Sequence, residues 1–181
     1  LNILKDYVKH KYDKPGKVYL GLVHRLDRPA GGLMLFARTS KAASRLSDPM
    51  RPHGIEKWYL CRRGGVPEPE SGEMRDYLIK DSRSNLTRVV HPDETGAKQA
   101  LLRYSLTDYN GGISQCEVEL LTGRPHQIRV QFASRGLPLV GDARYGAGKQ
   151  PPAVWSFRSV FVQPVSKKRM EFLRLAERGG L

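Results

Sequence analysis
Asp27 is the residue most able to do chemistry. It stands in HRLDRPAGGL, residues 24–33, between Arg25 and Arg28 and just ahead of a Pro/Gly turn. Neighbouring positive charge favours the ionised form of a carboxylate, and an ionised carboxylate can act as nucleophile or base. The arginines would also draw in a phosphate backbone that the aspartate alone would repel. The glycines let the backbone turn tightly and lie close to a ligand. The same letters also fit a salt bridge that closes a loop, and the charge pattern leaves both readings open.

Other chemistries lack their residues. His10, His24, His53, His91 and His126 are scattered, with no HExxH or comparable spacing, so no metal site is predicted. No GxGxxG or GxxxxGK[ST] run occurs, which argues against a nucleotide cofactor. A GxSxG elbow and the paired carboxylates of metal-dependent nucleases are missing too. Cys61 and Cys116 are far apart and show no CxxC spacing, so neither zinc nor a disulfide framework is expected and a reducing, cytoplasmic setting is.

Charge narrows the partner. Thirty-one Lys and Arg against eighteen Asp and Glu leave a net +13. Such an excess points to a polyanion, nucleic acid ahead of an anionic membrane surface, with a plain solvated surface as the alternative. The longest apolar runs, such as LMLFA, are too short to span a membrane. The chain of 181 residues suits one domain that buries a real core.

The elements that must position Asp27 follow from periodicity. Leu1, Leu4, Val8 and Tyr12 stand at helical spacing over residues 1–12, and Pro15-Gly16 ends that helix. Residues 18–23 and 33–37 read as strands on either side of the Asp27 loop. Thr39 or Ser40 caps a short helix through Leu46 that Pro49 closes. KWYLC (57–61), RDYLI, LTRVV and QALLRYSL read as strands, separated by Gly/Pro/Asp turns. SQCEVEL puts Cys116, Val118 and Leu120 on one face and Gln115, Glu117 and Glu119 on the other, a half-buried antiparallel strand. Ile128 and Phe132, four apart, predict a helix over about 125–135, with Gly136 where its end wants left-handed backbone. LPLVGDARYG reads as a short strand and turn, VWSFRSVFVQPV as a late strand, and KKRMEFLRL as a last strand or tail. The sum is an α+β fold with a mixed, mostly antiparallel sheet and flanking helices.

GLVHRLDRPAGGLMLFART resembles the catalytic run of the RluA-type pseudouridine synthases, HRLDxxTSGL between two strands. KWYLC is similar to that family's Lys-x-Tyr strand, and LLTGRPHQIRVQFASRGLPLVGDARYG to its TGRxHQIR…GDxxYG run. The resemblance implies isomerisation of uridine to pseudouridine in ribosomal or transfer RNA, with no metal or organic cofactor; the oligomeric state is open, with a monomer as the default. It makes Asp27 the essential carboxylate, acting at C1′ or through a glycal by way of C2′. Tyr59 would stack on the uracil and assist removal of the C5 proton. Arg129 would pair with Asp27 and keep it charged. Arg25 would fill the gap left by a flipped nucleotide, since a stacked base hides its glycosidic bond. Arg28, Arg124 and His126 are the further expected RNA contacts, with His126 and Gln127 open to holding the helix entry instead. His24 is read as structural and Asp142 as a turn residue.

Two departures from the family pattern stand out. Ala30-Gly31 replaces the usual Thr-Ser after the aspartate. The Lys-Pro-x-Gly strand expected upstream has only DKPG (13–16), close to the catalytic run, so residues 1–181 are expected to be a single catalytic domain lacking its N-terminal strand or strands. Two competing readings follow: an RNA binder of the same fold that no longer catalyses, and a basic scaffold protein whose HRLD is only a salt-bridged turn.

Overall fold
The computed structural model describes residues 1–48 and 54–176; Pro49 and His53 lie outside them. In chain order the elements are α1 (Asn2–Lys11), β1 (Gly21–Leu22), β2 (Gly31–Gly32), β3 (Phe36–Ala37), α2 (Ser40–Ser47), β4 (Glu56–Gly64), β5 (Ser71–Asp81), β6 (Leu86–Val90), β7 (Lys98–Asn110), β8 (Ile113–Leu120), α3 (Gln127–Ala133), β9 (Val154–Val162) and β10 (Arg169–Leu173). They fall into two units. The larger holds Leu26–Leu33, Glu56–Ser159 and the described residues from Phe172 on; the smaller holds Leu1–Arg25, the described residues from Met34 to Ile55, and Val160–Glu171.

The larger unit is built on a sheet in which β4, β8, β7, β5 and β6 lie side by side, all antiparallel. The start of β9 lies next to β4, and β2 pairs parallel to it through Gly31↔Trp155 and Gly32↔Ser156. The sheet is therefore mixed and mostly antiparallel, and the α+β expectation holds. β8 buries Ser114, Cys116 and Val118 in strict alternation, as its sequence pattern requires. Its partner β4 puts Tyr59 opposite Val118 and Cys61 opposite Cys116, so the buried face is shared by both strands.

α3 closes over that face. Ile128 and Phe132 pack into a core with Tyr59, Cys61, Met74, Leu102, Cys116, Val118, Leu139 and Val154. Val130 enters a second cluster with Leu78 and Ala100. The helix is shorter than the sequence suggests, seven residues, because 125 and 126 still belong to the entering turn. It stops as expected. Gly136 has φ +74°, its N–H bonds the Ala133 carbonyl at 3.0 Å, and the Leu137 N–H bonds the Phe132 carbonyl at 3.1 Å, a Schellman ending.

In the smaller unit α1 forms at its predicted place, yet none of its residues is buried. Lys9, His10 and Lys11 in its last turn suit the negative helix end. α2 is capped by Thr39, whose Oγ1 accepts the Ala42 N–H at 3.1 Å. The runs 18–23 and 33–37 do not form full strands. Only Gly21–Leu22 and Phe36–Ala37 pair, antiparallel, while residues 31–33 pair with β9, Leu33 N–H reaching the Ser156 carbonyl at 2.8 Å. Short apolar runs without alternation do not specify which residues bond, and here the backbone after the turn takes the nearest free edge. The segment 137–146 likewise forms isolated bridges, Arg63↔Leu139 and Asp142↔Gln150, in place of a strand. KKRMEFLRL does contain a strand, β10. Among the described residues no helix is long and apolar enough to cross a membrane.

Candidate active site
Asp27 is held out on a tight turn. Its carbonyl accepts the Ala30 N–H at 2.8 Å, and Leu26 and Ala30 pack against the Tyr59 core on either side of it. Ala30 thus contributes a small apolar contact at a position where the family pattern has a hydroxyl. The change at Gly31 has its reason in β9: a Cβ on Gly31 would lie 2.3 Å from Cζ3 of Trp155. The indole fills the space that a larger residue would need.

α3 brings the second half of the site. It is buried nearly all round, so its polar side chains need partners. Gln127 caps its own entry turn: Oε1 accepts the Arg124 N–H and the Thr122 hydroxyl, both at 2.9 Å, and Nε2 donates to the Leu101 carbonyl at 3.1 Å. Arg129 has all of its guanidinium engaged by carboxylates. Nε donates to Asp142 Oδ2 and Nη2 to Asp142 Oδ1, each at 2.8 Å, while Nη1 donates to Asp27 Oδ2 at 2.7 Å. Asp142 is itself held by the backbone: its Oδ1 accepts the Arg144 N–H at 2.9 Å.

The other oxygen of Asp27 meets a histidine. Nε2 of His126 lies 3.2 Å from Oδ1, and Nδ1 of His126 lies 2.7 Å from the Tyr145 hydroxyl. His126 reaches this place because it precedes α3 in left-handed backbone, φ 54°. Both ring nitrogens are engaged with protein groups and the side chain is buried. Burial pushes the Asp27 carboxyl up, but hydrogen bonds from His126 and Arg129 outweigh it and hold the group below the usual carboxylate range. Asp142 behaves alike: burial raises it, and Arg129 with the Arg144 N–H outweighs that and holds it below its ordinary value. The two carboxylates in turn push Arg129 above its ordinary value, against the effect of burial.

Tyr59 sits on the buried face of β4, 6% exposed. Burial pushes its phenol up to about 12; the neighbouring Ser156 hydroxyl opposes this, and the negative charge of Asp27 adds to it. The tyrosine is therefore a neutral phenol at physiological pH, next to a carboxylate that is fully ionised.

The remaining expected residues fall as follows. Arg28 is exposed, directly after Asp27. Arg25 is exposed in the smaller unit. Arg124 is half-buried and anchored by Nε on the Gln99 carbonyl at 2.8 Å. His24 accepts the Leu35 N–H on Nε2 at 3.0 Å, a structural contact. Sequence reasoning missed Asp142 and Tyr145 as parts of the site. The available signal was their place in GDARYG, but those letters alone describe a turn, which Asp142 also makes. Among the described residues no cluster of His, Cys, Asp or Glu could hold a metal.

Chemically, each Asp27 oxygen spends one lone-pair direction on Arg129 or His126 and keeps another for a substrate. The site offers one charged nucleophile or base, a buried phenol beside it, and an arginine that holds one oxygen of the carboxylate. The sequence profile of the RNA pseudouridylate synthase family matches residues 3–134, and the chain belongs to that family. An uncharacterised RNA pseudouridine synthase of Chloroflexus aurantiacus is 40% identical over 131 residues, covering 72% of this chain and 40% of that protein. Ribosomal large subunit pseudouridine synthase D of Yersinia pestis is 33% identical over 152 residues, covering 84% of this chain and 45% of that protein. This chain thus spans less than half the length of either relative. The fold is also that of human RNA pseudouridylate synthase domain containing 4, with a TM-score of 0.81 and 18% identity over 98% of this chain and 79% of that one.

Proposed function
We propose that this chain carries the catalytic site of a pseudouridine synthase that isomerises a uridine in ribosomal or transfer RNA. One observation carries the reading: Asp27 is ionised, with one oxygen 2.7 Å from Arg129 and the other 3.2 Å from His126, and its charge acts on the Tyr59 phenol. The reaction breaks the N1–C1′ bond and forms a C5–C1′ bond. A proton leaves C5 and one ends on N1, so no atom is gained or lost and no metal or organic cofactor is called for. Asp27 attacks C1′, or takes a proton at C2′ on the way to a glycal. Tyr59 stacks on the uracil, and its phenol, protonated near neutrality, assists removal of the C5 proton by hydrogen bonding and not as the base that takes it. Arg129 keeps Asp27 charged and oriented.

The target base must leave the stack to expose its sugar carbon, which costs a few kcal/mol. Arg25 fills the vacated place, and Arg28 and Arg124 contact phosphates. The net +13 charge supports a polyanionic substrate. The protein acts as a monomer in the cytoplasm, on one catalytic domain, with no membrane partner.

The test is direct. Uridine-containing ribosomal and transfer RNA transcripts are incubated with the protein, then mapped by carbodiimide labelling and primer extension. A stop produced by the wild type and not by Asp27→Asn supports the reading and names the target. Tight RNA binding with no stop on any transcript, and no change on Asp27→Asn, would replace it with the inactive RNA binder.

A further inference from the structure
Tyr145 lies against both residues that hold the Asp27 carboxylate, Arg129 and His126. Its ring packs with Val130, Leu78 and Ala100. The Arg129 guanidinium lies 5.1 Å from the centre of that ring, and the His126 ring meets it edge-on with centroids 5.7 Å apart. Its backbone N–H reaches Asp142 Oδ1 at 3.3 Å. Its hydroxyl oxygen accepts the Thr87 N–H of β6 at 2.8 Å and lies 2.7 Å from Nδ1 of His126.

These contacts bear on where the protons sit. An ionised carboxylate only accepts, so the His126 nitrogen facing Asp27, Nε2, carries a proton. The Tyr145 oxygen accepts from the Thr87 backbone, and its own proton can lie along the short contact to Nδ1. In that arrangement Nδ1 accepts and Nε2 donates. A chain of donors runs from the Thr87 N–H through the Tyr145 O–H and His126 Nε2–H to Asp27 Oδ1.

We propose that Tyr145 is a positioning residue for Asp27: its hydroxyl selects the His126 tautomer that donates to the second oxygen of the carboxylate. Arg129 alone fixes one oxygen, Oδ2, and leaves the carboxylate free to rotate about its bond to the chain. The second hydrogen bond stops that rotation and aims the remaining lone pairs. Without the Tyr145 proton, Nδ1 can take the hydrogen itself, and Nε2 then faces the carboxylate as a lone pair and repels it. The inference rests on the pseudouridine synthase reading for its consequence, and on geometry alone for the tautomer.

Two measurements test it on the full chain. Long-range proton–nitrogen NMR of the histidine rings reads the tautomer without any substrate. His126 should be protonated at Nε2 only, and Tyr145→Phe should shift it toward Nδ1–H. Turnover on the RNA transcripts gives the second. Tyr145→Phe should lower kcat about tenfold and leave KM within about twofold, the loss of one oriented hydrogen bond. His126→Gln offers an amide donor to Asp27 that needs no help from Tyr145. In that background Tyr145→Phe should cost no further activity. Full kcat in Tyr145→Phe, losses that multiply in the double variant, or wild-type His126 carrying its proton on Nδ1 would each overturn the proposal. A wild type that makes no pseudouridine would sink the functional reading instead, and the NMR result would still decide the hydrogen-bond chain.

Discussion
Arg129 and Asp142 form a two-point ion pair shut away from solvent, with Nε on Oδ2 and Nη2 on Oδ1, both at 2.8 Å. The pairing has a directional consequence. With one edge of the planar guanidinium locked, the remaining nitrogen, Nη1, can point only one way, and there it meets Asp27 at 2.7 Å. Asp142 therefore aims Arg129, and Arg129 aims the Asp27 carboxylate.

Asp142→Asn should break that arrangement. The amide keeps one acceptor oxygen but turns an NH2 toward a guanidinium that has only donors. Removing one partner of a buried pair costs about 3–5 kcal/mol, so the urea midpoint should drop markedly and turnover should fall with it. An unchanged midpoint would mean that Asp27 alone satisfies Arg129.

The same groups set a pH dependence. Asp27 and Asp142 have folded-state pKa values below their ordinary ones, so the unfolded chain binds protons in acid that the folded chain refuses. Their contribution is whole above the unfolded carboxylate value, about 3.9, and is lost as pH falls through the lower folded values. Urea unfolding should be flat between about pH 5 and 7 from these groups and weaken below about 4. Asp142→Asn should flatten the acid limb; an acid limb as steep as the wild type's would assign the effect to other carboxylates.

Much of the fold was legible because its strands carry their own pattern. β8 alternates so cleanly that its buried face could be written down from Cys116 and Val118 alone. The Gly136 stop was legible too, since few residues accept its φ of +74°. The strands around Asp27 were not, because their pairing is set by β9, over a hundred residues away in the chain. The site divides the same way. Asp27, Tyr59 and Arg129 stand in runs whose resemblance is specific. Asp142 and Tyr145 were hidden by double duty: a turn needs the aspartate locally, and nothing local says that its oxygens also hold an arginine. The sequence leaves His126 open between an RNA contact and the helix entry, and the left-handed backbone that turns it inward has no local signature.

Restoring the family's serine at residue 31 should harm this protein. The Cβ of Gly31→Ser would meet the Trp155 ring, which cannot swing aside freely because its Nε1 donates to the Arg174 carbonyl at 2.7 Å. Overpacking of this kind costs about 1–3 kcal/mol, read as a lower melting temperature. Trp155→Leu in the same chain should recover most of it. A Gly31→Ser variant as stable as the wild type would show that the indole does not dictate the glycine.

Tyr59 gives the last prediction, at the alkaline end. Its phenol is raised to about 12, chiefly by burial, so the folded chain holds this proton after an unfolded tyrosine, at about 10, has released its own. The stabilisation is fully present below the unfolded value and is lost as pH rises through the folded one. The wild type minus Tyr59→Phe difference in tyrosinate absorbance should therefore show one late-titrating phenol, and a step near the ordinary value would contradict the burial argument. The same shift bears on catalysis. A phenol that stays protonated near neutrality adds no limb to the pH–rate profile there, so on the proposed role of Tyr59 the Tyr59→Phe variant, which keeps the ring, should keep the profile's shape and RNA affinity while kcat falls. Loss of affinity with kcat unchanged would show that the hydroxyl binds RNA and takes no part in the chemical step.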